Sequence, residues 1–126
     1  MPVDSIRPSQ KARDHLVKIK RLTGIRNWNT ACRWGFCLSL AEESKPPHAD
    51  HPSDSNLELD WKTFGGEYAD IYWALLKARC AQDKLPLDEE SLAKQFRLHL
   101  HRGISYLAGD PRVRSISGLV QLGIPD

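Results

Sequence analysis

The chain has 126 residues, enough for one domain with a hydrophobic core. It is 40% hydrophobic and 27% charged, and no apolar run nears the roughly 18 residues of a membrane helix, so the sequence contains no spanning segment. The net charge of +2 hides a split: residues 1–42 carry eight basic side chains against three acidic ones, net +5, and residues 43–126 are net −3. Such a split points to a polyanion surface near the N-terminus, or else to a solvated helix face.

Residues 3–8, VDSIRP, alternate in part and end at Pro8, which suits an edge strand or an extended arm. Ser9 then caps a helix from Gln10, with Ala12, Leu16, Ile19 and Leu22 at helical spacing and Gly24 as its stop. Asn27 or Asn29 caps a second helix, roughly residues 29–43. Its apolar face is Ala31, Trp34, Cys37, Leu38 and Ala41, widened by Phe36 and Leu40, so it should be largely buried. The order of strand, helix, tight turn and helix is that of a ribbon-helix-helix unit, whose strand normally pairs with a second chain.

Residues 43–56, ESKPPHADHPSDSN, have no periodicity and form a linker or surface loop. LELDW alternates, with Leu57, Leu59 and Trp61 on one side and Glu58 and Asp60 on the other, as a short half-buried strand does. Gly65-Gly66 breaks it. A third helix follows over residues 67–83, with Tyr68, Ile71, Tyr72, Leu75, Leu76 and Cys80 expected inward. Beyond Pro86, Asp88-Glu89-Glu90 suits the positive end of a helix dipole, and Leu92, Phe96, Leu100, Ile104 and Leu107 continue that helix. Asp110-Pro111 is expected to open a last short helix as cap and first residue. The apolar tail from Val113 to Ile124 packs on the body or on a neighbouring subunit. The fold class is therefore mainly α: a compact helical domain with a ribbon-helix-helix-like N-terminal part and one short additional strand. It reads as a single DNA-binding domain over residues 1–126, divided into a basic part (1–42), a loop (43–56) and a part with a strand and helices (57–126).

The first residues, MPVDSIRPSQKAR, lack the apolar core of a signal peptide. Cys32, Cys37 and Cys80 are odd in number and include no CxxC pair, so free thiols in a reducing, cytoplasmic setting are expected.

The strongest binding candidate is the first helix. With its apolar side inward, Lys11, Lys18 and Arg21 fall outward, Arg13 and Lys20 lie on a flank, and Arg26 follows in the turn. Such a ladder can track phosphates without reading bases. Trp28, beside the basic turn, can stack a base or serve as core or subunit contact, the commoner use.

Other candidates are weaker. The loop residues His48, Asp50, His51 and Asp54 have metal-ligand chemistry but no fixed scaffold, and His99 and His101 sit two apart on a helix, facing different ways. His15 reads as a helix-surface residue. Asp60-Trp61-Lys62 has the acid-x-Lys form used by metal-dependent nucleases. Composition alone predicts about one such triplet, and the chain has two, the other being Glu43-Ser44-Lys45. No nucleotide-binding glycine loop or nucleophile elbow is present. No catalytic residue, metal site or cofactor is expected.

Two stretches, IRPSQKARDHLVKIKRLTGIRNWNTACRWGFCLSL (6–40) and WKTFGGEYADIYWALLKARC (61–80), resemble the DndE family of DNA sulfur modification proteins. The likeness includes the LTGI turn at Leu22–Ile25, the Pro-Pro-His loop and the FGGE break at Phe64–Glu67. That resemblance implies a bacterial modification system that replaces a non-bridging phosphate oxygen of DNA with sulfur. A cysteine desulfurase supplies the sulfur, which passes through an iron–sulfur partner and an ATPase-like partner. It implies a small accessory subunit that forms a homotetramer and binds DNA, nicked duplex above all, beside the other subunits of the complex. The family's basic surface falls on Lys11, Lys18, Lys20, Arg21 and Arg26. No nuclease centre carries over residue by residue. A metal-dependent nickase using Asp60 and Lys62, and a non-catalytic protein adaptor, stand as alternatives.

Overall fold

The structure, a computed structural model, describes residues 5–122. Val3 and Asp4 of the expected arm, and the tail from Gly123 through Ile124, lie outside them. The described residues are mainly helical, with one small antiparallel sheet.

Helix α1 spans Gln10–Thr23. Ser9 starts it from an extended conformation, its hydroxyl accepting from the Ala12 N–H at 3.1 Å. Gly24 ends it in the left-handed region (φ 78°), where a Cβ would be strained, and donates its N–H to Lys20 O at 2.9 Å. Helix α2 spans Trp28–Ala41; of the two candidate asparagines Asn27 is the cap, with Oδ1 2.9 Å from the Asn29 N–H. Helix α5, Glu89–Gly109, starts at Asp88, whose carboxylate takes the N–H and hydroxyl of Ser91.

The centre of the fold is the crossing of α2 on α5. A Cβ on Gly103 would lie 1.6 Å from Gly35 O, and one on Gly35 would lie 2.9 Å from Ile104 N. The two backbones touch there with no side chain between them. Around the crossing, Phe36 of α2 meets Phe96 of α5 edge-on at 5.2 Å and Phe64 at 5.8 Å. Such edge-to-face pairs add to the area buried. Leu100, Ile104 and Leu107 complete this layer, and Ala12, Leu16 and Ile19 of α1 lean on it.

Strand β1, Ser5–Ile6, pairs antiparallel with β2, Leu59–Asp60, so Ser5 faces Asp60 and Ile6 faces Leu59. The strand–helix–helix order of the ribbon-helix-helix likeness is present, but the strand's partner comes from the same chain. Glu58 holds the pair from the side, accepting from Ser5 Oγ at 2.9 Å and Arg7 at 3.4 Å.

Four expectations need correction. In α2 the buried side is Ala31, Cys32, Gly35, Phe36 and Ser39, while Cys37 and Ala41 of the expected face are exposed and Trp34 and Leu38 are half-buried. Trp61 begins a helix, α3 (Trp61–Gly65), and does not extend the strand. Asp60 stands at the helix start in an extended conformation and accepts from Thr63 Oγ1 at 3.2 Å, while Trp61 is buried. A 3-10 turn, Gly66–Tyr68, then leads into α4, Ala69–Gln82. In α4 Leu76 and Cys80 are buried as expected, but Ile71 and Leu75, and Tyr68 just before the helix, are exposed. This helix has apolar residues on two sides, so periodicity alone does not choose the buried one. Finally, Asp110-Pro111 opens no helix. Asp110 closes α5 and accepts from the backbone N–H of Arg112 at 2.9 Å, forming a turn. The last helix, α6, is Ile116–Leu122, and Ser115 Oγ accepts from the Gly118 N–H before it closes. Val113 and Leu119 of the expected packing tail are buried.

The glycine crossing yields a sharp contrast. Gly103→Ala must push two backbones apart and should cost about 3 kcal/mol or more in urea unfolding. Gly109→Ala, with open space around its Cβ position, should change stability by no more than about 0.5 kcal/mol. Equal effects at the two positions would contradict this packing.

Candidate nucleic-acid interface

The basic side chains of α1 do not form one line. Ala12, Leu16, Ile19 and Thr23 bury one side of the helix. Lys11 and Lys18 then fall on one flank, Arg13 and Lys20 on the other, and Arg21 between them on the outer side. Lys11, Lys18, Arg21 and Arg26 are exposed, and Lys20 is half-buried. Asp14 and Val17 share the outer side with Arg21, so negative and apolar groups interrupt the charge.

Two of the five candidate cations have structural duties. Lys18 Nζ donates to Ala108 O at 2.8 Å, capping the C-terminal turn of α5. Lys20 Nζ sits 3.8 Å from the centre of the Trp28 ring, and the Arg13 guanidinium lies 5.6 Å from it. Trp28 is half-buried and packs against the core. Its ring therefore holds the basic flank in place, and a base stacking there would have to displace Lys20. Lys11, Arg21 and Arg26 form no hydrogen bond or ion pair among the described residues. Lys11 and Lys18 depress the His15 pKa, after burial, the larger cause.

Sequence reasoning missed a second set of cations that fixes the loop over residues 43–56. Arg102 donates to Ser39 Oγ and Ser39 O at 2.8 Å each and to Ser44 O at 2.9 Å. Arg79 donates to Leu40 O at 2.7 Å, Ser44 O at 2.7 Å and Asp83 Oδ2 at 2.9 Å. Both arginines are buried and satisfy the open carbonyls at the end of α2. Arg97 donates to Arg7 O at 2.8 Å and His51 O at 2.6 Å. Asp54 returns to α1, with Oδ1 2.8 Å from the Gln10 N–H, at the positive end of the helix dipole. The loop is a strap, tied at both ends and in the middle. Arginines set among the apolar residues of α4 and α5 were the available signal, and none is visible in the loop itself.

The histidines serve this strap. His101 Nε2 accepts from the Ser9 N–H at 3.2 Å while Nδ1 faces Arg97 O at 2.8 Å, which fixes a neutral ring with its proton on Nδ1. His51 stacks on it at 4.1 Å. Burial first, then the charges of Arg102 and Arg79, push the His99 pKa down to about 4. Burial also takes His101 to about 4, against the opposing hydrogen bond to Arg97. Burial pushes the Cys32 thiol up to about 12.

The remaining candidates are scattered. Asp60 and Lys62 lie at the exposed start of α3. His48 Nε2 and Asp50 stand 4.0 Å apart in the strap. No group of three or more His, Cys, Asp or Glu side chains is placed to hold a metal among the described residues. Cys32, Cys37 and Cys80 are free thiols, with Cys32 and Cys80 buried and Cys37 exposed.

Both buried histidines titrate below their ordinary value of 6.5. The unfolded chain thus takes up more protons than the folded one as pH falls below that value. Stability from these groups is complete above about pH 6.5 and is lost as pH falls through 4. Urea midpoints measured down this range should decline, and a His99→Gln, His101→Gln variant should decline less steeply. Arg102→Leu leaves several carbonyls without donors and should cost about 3 kcal/mol at neutral pH; a loss under about 0.5 kcal/mol would show that the strap carries no weight.

Comparison with known proteins bears on these features together. The family model for DNA sulphur modification protein DndE matches residues 5–115. The chain is similar to the crystal structure of DndE from Escherichia coli B7A, described as involved in DNA phosphorothioation modification. That match has a TM-score of 0.68 and 30% identity over 85% of this chain and 98% of the other. A glycine-to-lysine mutant of DndE, described as involved in DNA phosphorothioation, matches with a TM-score of 0.65 and 27% identity over 86% and 99%. Among curated proteins nothing matches. A family match over most of the length, with the same fold in the solved structures, makes this chain a member of the DndE family of DNA sulphur modification proteins.

Proposed function

We propose that the chain is a DNA-binding accessory subunit of a bacterial, cytoplasmic DNA phosphorothioation system, without catalysis of its own. Family membership supports the modification system. The observation that carries the DNA contact is the set of exposed cations around α1: Lys11, Lys18 and Arg21 on the helix and Arg26 in its turn, with Lys20 held at the edge by Trp28. Cations on two flanks of one helix suit the curved backbone of a duplex, where each neutralised phosphate releases counterions. None is arranged as a bidentate base reader, so the contact is independent of sequence.

One chain offers about five such contacts, which is a weak grip. Assembly as a homotetramer would multiply them and let several copies hold one duplex, nicked duplex in particular, since a break lets the duplex bend. The exposed side chains of Ile71 and Leu75 on α4, with Tyr68 just before it, give apolar surface for such assembly, or for another subunit of the modification complex.

Fluorescence anisotropy with nicked and intact duplexes across a salt series tests the reading. Lys11→Glu, Arg21→Glu and Arg26→Glu should each reduce the slope of log affinity against log salt by about 1, with unchanged thermal unfolding. A wild-type affinity independent of salt would overturn phosphate binding and favour an acidic protein partner. Conversion of supercoiled plasmid to nicked circles with Mg²⁺, lost in Asp60→Ala, would overturn the non-catalytic reading.

A further inference from the structure

A second basic feature lies beside α1. The strap and α5 enclose an open cavity of about 490 Å³, with His48 and His51 on one wall and Lys94, Arg97 and Leu98 on the other. We infer that this cavity is a phosphate-binding site that extends the α1 surface and receives one phosphodiester of the DNA backbone. The inference rests on the DNA-binding reading above and names a further contact for it.

Arg97 anchors the site. Its guanidinium is half-buried and held by two carbonyls, Arg7 O and His51 O. A guanidinium has five N–H donors, so donors remain for a ligand, and their direction is already fixed. Lys94 sits one helical turn before it on α5. It is exposed and makes no hydrogen bond or ion pair among the described residues. A rigid arginine beside a mobile lysine is an effective pair for a phosphate: one fixes geometry, the other follows the charge. The one carboxylate in the wall, Asp50, is fully exposed, 4.0 Å from His48.

The cavity also joins the α1 surface. Burial first, then the charge of Arg97, holds the His51 pKa down, with Asp50 opposing and Lys11 adding. Lys11 of α1 and Arg97 of the cavity thus both act on His51. A cavity of this size admits a phosphate with its sugar, and its His51 wall is braced by stacking on buried His101 at 4.1 Å. A strand held at Lys11 could continue into this cavity, whose cations are Lys94 and Arg97.

The test uses the full chain in two arms. In the first, inorganic phosphate is titrated while the imidazole carbon resonances are followed, with acetate as control. The expected result is saturable movement of His48 and His51 with little at His15, and its loss in Lys94→Glu. Equal movement with acetate, or the same saturation in Lys94→Glu, overturns the site. In the second, Lys94→Glu is assayed on nicked duplex, where the salt slope should fall by about 1. An unchanged slope, with phosphate still bound by the wild type, overturns the assignment to DNA. If wild-type protein binds phosphate here but no duplex at any salt, the DNA reading itself has failed, and the assignment falls with it. Unchanged thermal unfolding of Lys94→Glu confirms that these losses are local.

Discussion

Helices α2 and α5 meet where Gly35 and Gly103 leave no room for a methyl group between their backbones. That close approach sets the depth at which the two helices pack, and the other elements are built around it. Phe36, Phe64 and Phe96 fill the space beside the crossing, with Trp61 against Phe96 at 5.2 Å. Helix α1 lies on α5, and the hydrogen bond from Lys18 to Ala108 O ties the two at the end of α5. The basic surface is thus displayed from a helix whose position derives from two glycines distant from it in sequence.

A second constraint is polar. Arg79, Arg97 and Arg102 turn a loop without secondary structure into part of the scaffold. Each donates to backbone carbonyls, so each works through direction as well as charge. His101 adds a contact that depends on a neutral ring, linking the strap to the first turn of α1 through the Ser9 N–H. The surface proposed for DNA and the strap beside it are therefore one mechanical unit, joined by Ser9, Asp54 and His51.

Local signals in the sequence located most helices. Ser9, Gly24 and Asp88 carry their own capping chemistry, and the spacing of Leu92, Phe96, Leu100 and Leu107 survives into the buried side of α5. Part of what failed depended on contacts far along the chain, and part on neighbours two or three residues away. Tyr68, Ile71 and Leu75 look as apolar as Leu76 and Cys80, and only the packing of α4 against α3 and α5 decides which side is buried. Asp110-Pro111 has the residues of a helix start, but the carboxylate is taken by Arg112. The candidate cations were legible as residue types. Their roles were not, because Lys18 finds Ala108 and Lys20 finds Trp28 only in the folded chain. Strap residues such as His51 carried no periodic signal, and Arg97 is recognisable only by the carbonyls it reaches.

In the proposed arrangement α1 and the adjoining strap face DNA while α4 does not. Backbone amide resonances followed during titration with a nicked duplex test it directly. The largest movements are expected over residues 10–27, with a second group at residues 48–52 and 94–97, and little change over residues 69–82. Movements concentrated on α4, with α1 unaffected, would contradict it.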